Sequence, residues 1–379
     1  MESICRRLLA HCLAGSDWPD SLIDDIREGL QTSEGSRQFF SIVIERLGDL
    51  FEPRLCIAYA RVMAAVLRDP SIETRYARIR EPRRFEGSDP ARVYVLSRIT
   101  LGADVAVTSV LIDAAKKRFP KAEVFLVGPR KNWELYAADS RVQHHNAPYG
   151  RSATFAERIA ARPFLDDSGA IVLDPDSRLS QLGILPVMPD DSRYYFFESR
   201  AYNGGSTDAL PELASQWCVE TLGVGGSPFV APLAPSGTIA PAKVTANLGV
   251  GENVDKRIPD PFEAELLRHL PGDTLIDLGG SPEEADRVRR AAGPEKRTFQ
   301  GSFADFAWLI SQSQKYVGYD SAGMHVAAAC GVPTLCIFAG AVSERFFDRW
   351  KPTGRGPIAI VRPQPTTEAT LAQTLAALS

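Results

Sequence analysis

Apolar positions recur at helical spacing through the first ninety residues, and then give way to short apolar runs that alternate with amphipathic stretches. In the first segment, Phe39-Phe40-Ser-Ile-Val-Ile-Glu-Arg-Leu47 and Ala58 to Leu67 predict helices. Ser16-Asp17-Trp18-Pro19 is a helix entry, with polar caps just ahead of a proline. At Arg92 the pattern changes. Val93 to Ile99 predicts a strand, Thr100-Leu-Gly-Ala-Asp104 a turn, Val105 to Phe119 a helix stopped by Pro120, and Glu123 to Val127 a second strand. That is a βαβ unit, whose strands should lie parallel with a right-handed crossover. Ala170 to Leu173 is a further strand, ending at Asp174-Pro-Asp176.

Residues 221–242 carry no charge and are punctuated by Pro228, Pro232, Pro235 and Pro241, which predicts an interdomain linker. A second alternating series follows. Its strands are Val244 to Leu248, Thr274 to Leu278, Lys315 to Gly318, Thr334 to Phe338 and Ile358 to Val361. Its helices are Pro261 to Leu270, Pro282 to Ala292, Phe303 to Gln312, Ala322 to Cys330, and a last one capped by Thr366 or Thr367. Three segments result: a helical domain over 1–90, one α/β lobe over 91–240, and another over 241–379. Two such lobes on a flexible linker form a cleft.

A chain of 379 residues is long enough for two to three domains of roughly 150 residues. With 44% hydrophobic and 24% charged residues, disorder and collagen-like structure are excluded. A net charge of −4 argues against a basic nucleic-acid binder, so no nucleic-acid partner is expected. The six cysteines form no CxxC pair, which excludes a zinc ribbon and a thioredoxin-type motif and fits a reducing compartment. Met1 to Ala14 has no long apolar core before a cleavage site, so a cytoplasmic location is expected. Met324 to Val342 contains His325 and Pro333, and reads as helix, turn and strand rather than a membrane span. Attachment to the inner face of the membrane stays open, without a basic amphipathic helix to carry it.

Three loops hold residues that suit phosphate or sugar chemistry. Tyr319-Asp320-Ser321-Ala322-Gly323-Met324-His325 follows a strand and opens a helix, where exposed backbone N–H groups favour an anion and small residues let it approach. The structural alternative is an ordinary helix cap by Asp320 or Ser321. Asn247-Leu-Gly249-Val-Gly251, followed by Lys256-Arg257, is a glycine-containing loop with two cations before a helix. It is neither a Walker loop nor a complete GxGxxG fingerprint. Gly279-Gly280-Ser281-Pro282-Glu283-Glu284 puts two carboxylates in a first helical turn, where they favour the helix dipole or bind ribose hydroxyls. All three loops leave the C-terminal ends of strands, which is where open α/β sheets bind ligands.

These residues resemble glycosyltransferase family 9, the ADP-heptose:lipopolysaccharide heptosyltransferases. The stretch Tyr319 to Gly340 is similar to that family's "DSGpmHlAaAlGvPtvalFG". Gly301 to Ile310 is similar to its preceding helix, and Leu101-Gly-Ala-Asp104 with Lys117 to Val124 to its N-terminal "lGDvllttpll…yPdaei". The resemblance spans about residues 92–378, and residues 1–90 lie outside it. It implies a GT-B fold: two Rossmann-like lobes facing a cleft, here with an N-terminal helical extension. It also implies an inverting transfer without a metal or other cofactor, from a nucleoside-diphosphate sugar, heptose among the candidates, to a glycan, lipid-linked or other acceptor.

By the same resemblance, Asp104 is the base, Lys256 neutralises the diphosphate, Glu283 binds ribose and Asp320 is the family's "DSG" aspartate. Gly249, Gly251, Arg257, Ser321, Ala322, Gly323 and His325 complete the expected donor side. Three departures stand out. Ala103 splits the family's Gly-Asp pair, Ala322-Gly323 replaces Gly-Pro, and Glu252 stands where a hydroxyl residue is common. Thr108, Asp176, Arg178 and Arg200 are acceptor-side candidates. The Asp174-Pro-Asp176 triplet has the DxD form of a metal site, with a strand-end turn as the alternative. His144-His145 reads as a loop pair, and Asp166-Asp167 as solvated. A GT-B-fold epimerase and a non-catalytic nucleotide-sugar-binding scaffold, with residues 1–90 as a docking module for a partner, remain alternatives.

Overall fold

Val93 to Leu96 are all buried, so the strand they form needs cover on both faces. It is the centre of a parallel sheet in the computed structural model, which describes residues 1–150, 152–237, 239–251 and 256–378. The strands are β1 (Arg92–Leu96), β2 (Glu123–Gly128), β3 (Val142–Asn146), β4 (Ala170–Asp174) and β5 (Tyr194–Phe196), in the order β3-β2-β1-β4-β5. Alternation puts Tyr94 and Leu96, Ala170 and Val172, and Tyr194 and Phe196 on one face. These share a single apolar core with Cys5, Leu22, Phe39, Leu55, Met63 and Ile79 from the N-terminal helices. Those helices, beginning with Glu2–Ala14 and ending with Ser71–Ile79, are therefore a layer of the first α/β unit.

The second sheet is also parallel. Its strands are β6 (Val244–Asn247), β7 (Thr274–Asp277), β8 (Arg297–Phe299), β9 (Lys315–Tyr319), β10 (Thr334–Ile337) and β11 (Ile358–Val361), in the order β11-β10-β9-β6-β7-β8. The chain runs outward from β6 to β8 and then returns to lay β9 against the other side of β6. That reversal opens a crevice beyond the strand ends between β6 and β9.

Contact grouping gives two compact units. The first holds Met1–Thr100, Leu111–Asn132 and Arg141–Gly226, and the second Leu101–Val110, Trp133–Ser140 and Ser227–Ser379. The boundary at Gly226 falls inside the proline-punctuated segment. Ala231 then exchanges backbone hydrogen bonds with Leu135 and Ala138, inside the second unit.

Local differences from the sequence expectation have physical reasons. Thr100 to Asp104 is not a turn: a helical path begins at Leu101, and Asp104 opens a π-helical segment, Asp104–Thr108. His144-His145 lies on β3, an edge strand whose half-polar sequence hides it; His144 Nε2 is 2.9 Å from the Gly128 carbonyl. Asp167 is paired with Arg92, at 2.8 Å. Among the described residues, no helix is long and apolar enough to cross a membrane.

Candidate nucleotide-sugar site

β6, β7 and β9 end next to one another, and their last residues are polar. Asn247 Nδ2 donates to Asp277 Oδ2 at 2.5 Å. Asn247 Oδ1 accepts from the Ser321 hydroxyl at 3.2 Å, across the point where the strand order reverses. Burial pushes the Asp277 carboxyl up to about 6, against the Gly279 N–H and the Asn247 amide, which favour its charged form.

Ser321 stands at the N-cap of the helix Ala322–Cys330 with extended backbone, φ −140° and ψ −178°, yet no side chain caps this helix. The capping alternative is therefore not realised: the Ser321 hydroxyl is turned to Asn247. Asp320 is engaged too, accepting from the Ala339 N–H at 3.3 Å. A helix start without a side-chain cap keeps N–H groups available to an anion. Gly323 is required there, because a Cβ would lie 2.3 Å from the Tyr316 hydroxyl oxygen beneath it.

Lys256 reaches the same place. Its Nζ is 2.7 Å from Asp320 Oδ2 and donates to the Asp320 carbonyl at 3.1 Å. Its stem lies on Gly340, where a Cβ would come within 2.3 Å of Lys256 Cγ. Burial raises the Asp320 carboxyl above the usual range, and the ammonium opposes that shift. His325 is buried in the following helical turn against Trp350. Burial first, and the Lys256 charge second, lower it to about 4, so it is neutral near pH 7. The ammonium and the helix start are both positive, and the single Asp320 carboxylate leaves room for a further anion.

Glu284 organises the neighbouring loops. It accepts from Val250 N–H at 2.7 Å, Gly251 N–H at 3.0 Å and Gly280 N–H at 3.2 Å. A Cβ on Gly249 would sit 3.1 Å from its carboxylate and one on Gly279 only 2.3 Å away, and both Gly251 and Gly279 have positive φ. With Glu284 committed to backbone, Glu283 is the exposed carboxylate of the pair. Arg257 has two carboxylate partners, Glu263 at 2.9 Å and Asp260 at 3.1 Å, and Glu263 also binds Arg287 and the Tyr319 hydroxyl. Glu252 lies outside the described residues.

Asp104 and Thr108 group with this second unit. The Thr108 hydroxyl donates to Asp104 Oδ1 at 2.6 Å, the Tyr136 hydroxyl donates to the Asp104 carbonyl at 2.9 Å, and both Asp104 and Thr108 are buried. Gly102 brings this segment close to the Ala322 helix: a Cβ there would be 3.2 Å from Ala322 Cα and 3.4 Å from the His325 ring. The Gly-Ala-Asp sequence thus keeps its glycine for a close approach.

The other acceptor-side candidates belong to the first unit. Arg200 donates twice to Asp176, at 2.8 and 3.0 Å, and both are buried. The Arg200 guanidinium lies over the Tyr59 ring, and buried Glu198 pairs with Arg80 at 2.8 Å and with the Tyr76 hydroxyl. Arg178 is partly exposed and pairs with Glu45 at 3.0 Å. Asp174 accepts from Ser177 N–H and the Tyr194 hydroxyl. The Asp174 to Asp176 triplet is thus bonded as a strand-end turn. Among the described residues, no three His, Cys, Asp or Glu side chains are grouped to hold a metal ion.

No family model and no curated protein matches the chain. Solved structures do. The structure of E. coli heptosyltransferase WaaC with ADP-2-deoxy-2-fluoro heptose matches with a TM-score of 0.55 and 16% identity, covering 76% of this chain and 100% of that one. The structure of a family 9 glycosyl transferase from Veillonella parvula gives 0.54 and 16%, covering 77% and 98%. E. coli WaaC with ADP gives 0.52 and 16%, covering 76% and 99%. The chain therefore has the α/β, GT-B, heptosyltransferase-like fold that its sequence resemblance implies.

Proposed function

We propose that this chain is a glycosyltransferase that moves a sugar from a nucleoside-diphosphate donor to a hydroxyl-bearing acceptor, with inversion and without a metal or other cofactor. The observation that carries this reading is the Lys256 ammonium, 2.7 Å from Asp320 at the start of a helix that no side chain caps. A leaving diphosphate gains charge as its bond to the anomeric carbon breaks. Fixed positive groups at that point stabilise the transition state more than the ground state. Lys256 and the N–H groups from Ala322 onward take that charge. Glu283 binds the ribose hydroxyls, and Gly249 and Gly251 let the nucleotide lie against the backbone.

Asp104 is the base: it takes the acceptor proton as the acceptor oxygen attacks the anomeric carbon and the diphosphate departs from the opposite face. Thr108, bonded to the same carboxylate, orients it. Arg257 braces its loop through Glu263, so the diphosphate role falls to Lys256. Asp176 and Arg200 shape the first unit as a buried pair, which leaves Arg178 as its partly exposed acceptor candidate. WaaC holds an ADP-heptose analogue in its solved structure, which supports a nucleoside-diphosphate heptose as the donor class to test first. The acceptor is a glycan, lipid-linked or other, reached from the cytoplasmic side of the membrane.

The test is acceptor-dependent release of nucleoside diphosphate in the presence of a chelator. Wild type should turn over, and Asp104→Asn should fall by about 10²–10⁴-fold. Hydrolysis or epimerisation of the donor with no acceptor requirement would overturn the transfer reading.

A further inference from the structure

The three residues Asp277, Asn247 and Ser321 form a chain of hydrogen bonds across the ends of β7, β6 and β9. Serine is among the residues that best cap a helix, and Ser321 has the extended backbone of an N-cap. Left alone, its hydroxyl would accept from an N–H two or three residues on, and would occupy part of the helix start. It instead donates to Asn247 Oδ1. The Asn247 amide has little choice of orientation. Its Nδ2 faces a carboxylate oxygen of Asp277 at 2.5 Å, and turning the amide over would set two oxygens against each other.

We infer that Asn247, oriented by Asp277, is a positioning residue that holds the Ser321 hydroxyl away from the helix start and so keeps that start open for the anionic part of the donor. This rests on the donor site proposed above. It also gives a reason for a serine at this position that does not depend on capping. The hydroxyl is satisfied sideways, at the switch point of the sheet, while the amides ahead of Gly323 and Met324 stay unengaged by side chains.

The experiment is a double-mutant cycle read by calorimetric titration with ADP, UDP, GDP and CDP. It uses wild type, Asn247→Ala, Ser321→Ala and the double variant. Asn247→Ala should weaken binding of the preferred diphosphate about fivefold when Ser321 is present, because the freed hydroxyl then caps the helix. In the Ser321→Ala background the same substitution should have no effect. An equal loss in both backgrounds, or no loss in either, overturns the inference. Asn247→Ser repeats the arm if Asn247→Ala does not fold. If wild type binds none of the four, the donor reading fails, and the relay is judged by amide hydrogen exchange at Gly323 and Met324. Protection should rise in Asn247→Ala and return to the wild-type level in the double variant. Unchanged exchange would overturn the relay.

Discussion

Single side chains in this protein are informative through what they are bonded to. Lys256 has a carboxylate partner in Asp320 at the uncapped start of the Ala322 helix, whereas Arg257 is held by two, Asp260 and Glu263, the latter in the first turn of the helix Phe262–His269. Lys256→Ala should therefore lower kcat/KM by about 10²-fold while the melting temperature moves by only a few degrees. Unchanged turnover with unchanged melting rejects the role. His325 supplies a second test. Its buried ring is held neutral, with a pKa of about 4, while an unfolded histidine titrates near 6.5. A lowered histidine stabilises the fold above the unfolded value, and that contribution is lost as pH falls from about 6.5 toward 4. The stability of wild type relative to His325→Gln should then drop by up to about 3 kcal/mol across that window. A gap that stays constant with pH, measured by urea unfolding, would contradict the assignment.

Loops and helix starts show how much of the site can be read locally. The pattern Ser281-Pro-Glu-Glu284 has the form of a capping box, but only its serine half forms: Ser281 accepts the Glu284 N–H at 3.1 Å, and the Glu284 carboxylate turns to Gly280 instead. Glu284 also crosses to Val250, 34 residues earlier, and nothing local announces that reach. Glu284→Ala leaves three backbone N–H groups without their acceptor, and should destabilise the second unit by about 2–3 kcal/mol and weaken nucleotide binding. Chemical denaturation reads the first effect and titration the second.

The strand ends at Asn247 and Asp277 are likewise legible as elements, whereas their bond joins residues 30 apart and is fixed by strand order. Gly102 invites a turn on sequence grounds, but it serves a close approach to Ala322 inside a helical path. The short strands β3, β5 and β8 escape pattern reading because each is a brief or half-polar edge of its sheet. The β6, β7 and β10 runs, buried throughout, and β9, buried from Tyr316 onward, are plain.

At the scale of the molecule, the helical character of the first ninety residues is visible in their periodicity, but their place is not. It depends on alternate residues of β1, β4 and β5, which lie at positions 92–196 and bury one face against those helices. Residues 1–79 are thus a layer of the first unit. Removal of residues 1–87 should expose that sheet face and abolish cooperative melting, with aggregation as the visible result. A truncated chain that melts cooperatively at the wild-type temperature would show the helices to be dispensable.

In the proposed reaction a nucleoside diphosphate binds at the strand ends of the second unit, against Lys256 and the Ala322 helix. The most direct test of this is metal-free titration of ADP, UDP, GDP and CDP into wild type and Lys256→Ala. Wild type should bind one diphosphate selectively, with at least a tenfold loss in the variant. Equal affinity in the two proteins, or no binding of any of the four by wild type, would contradict it.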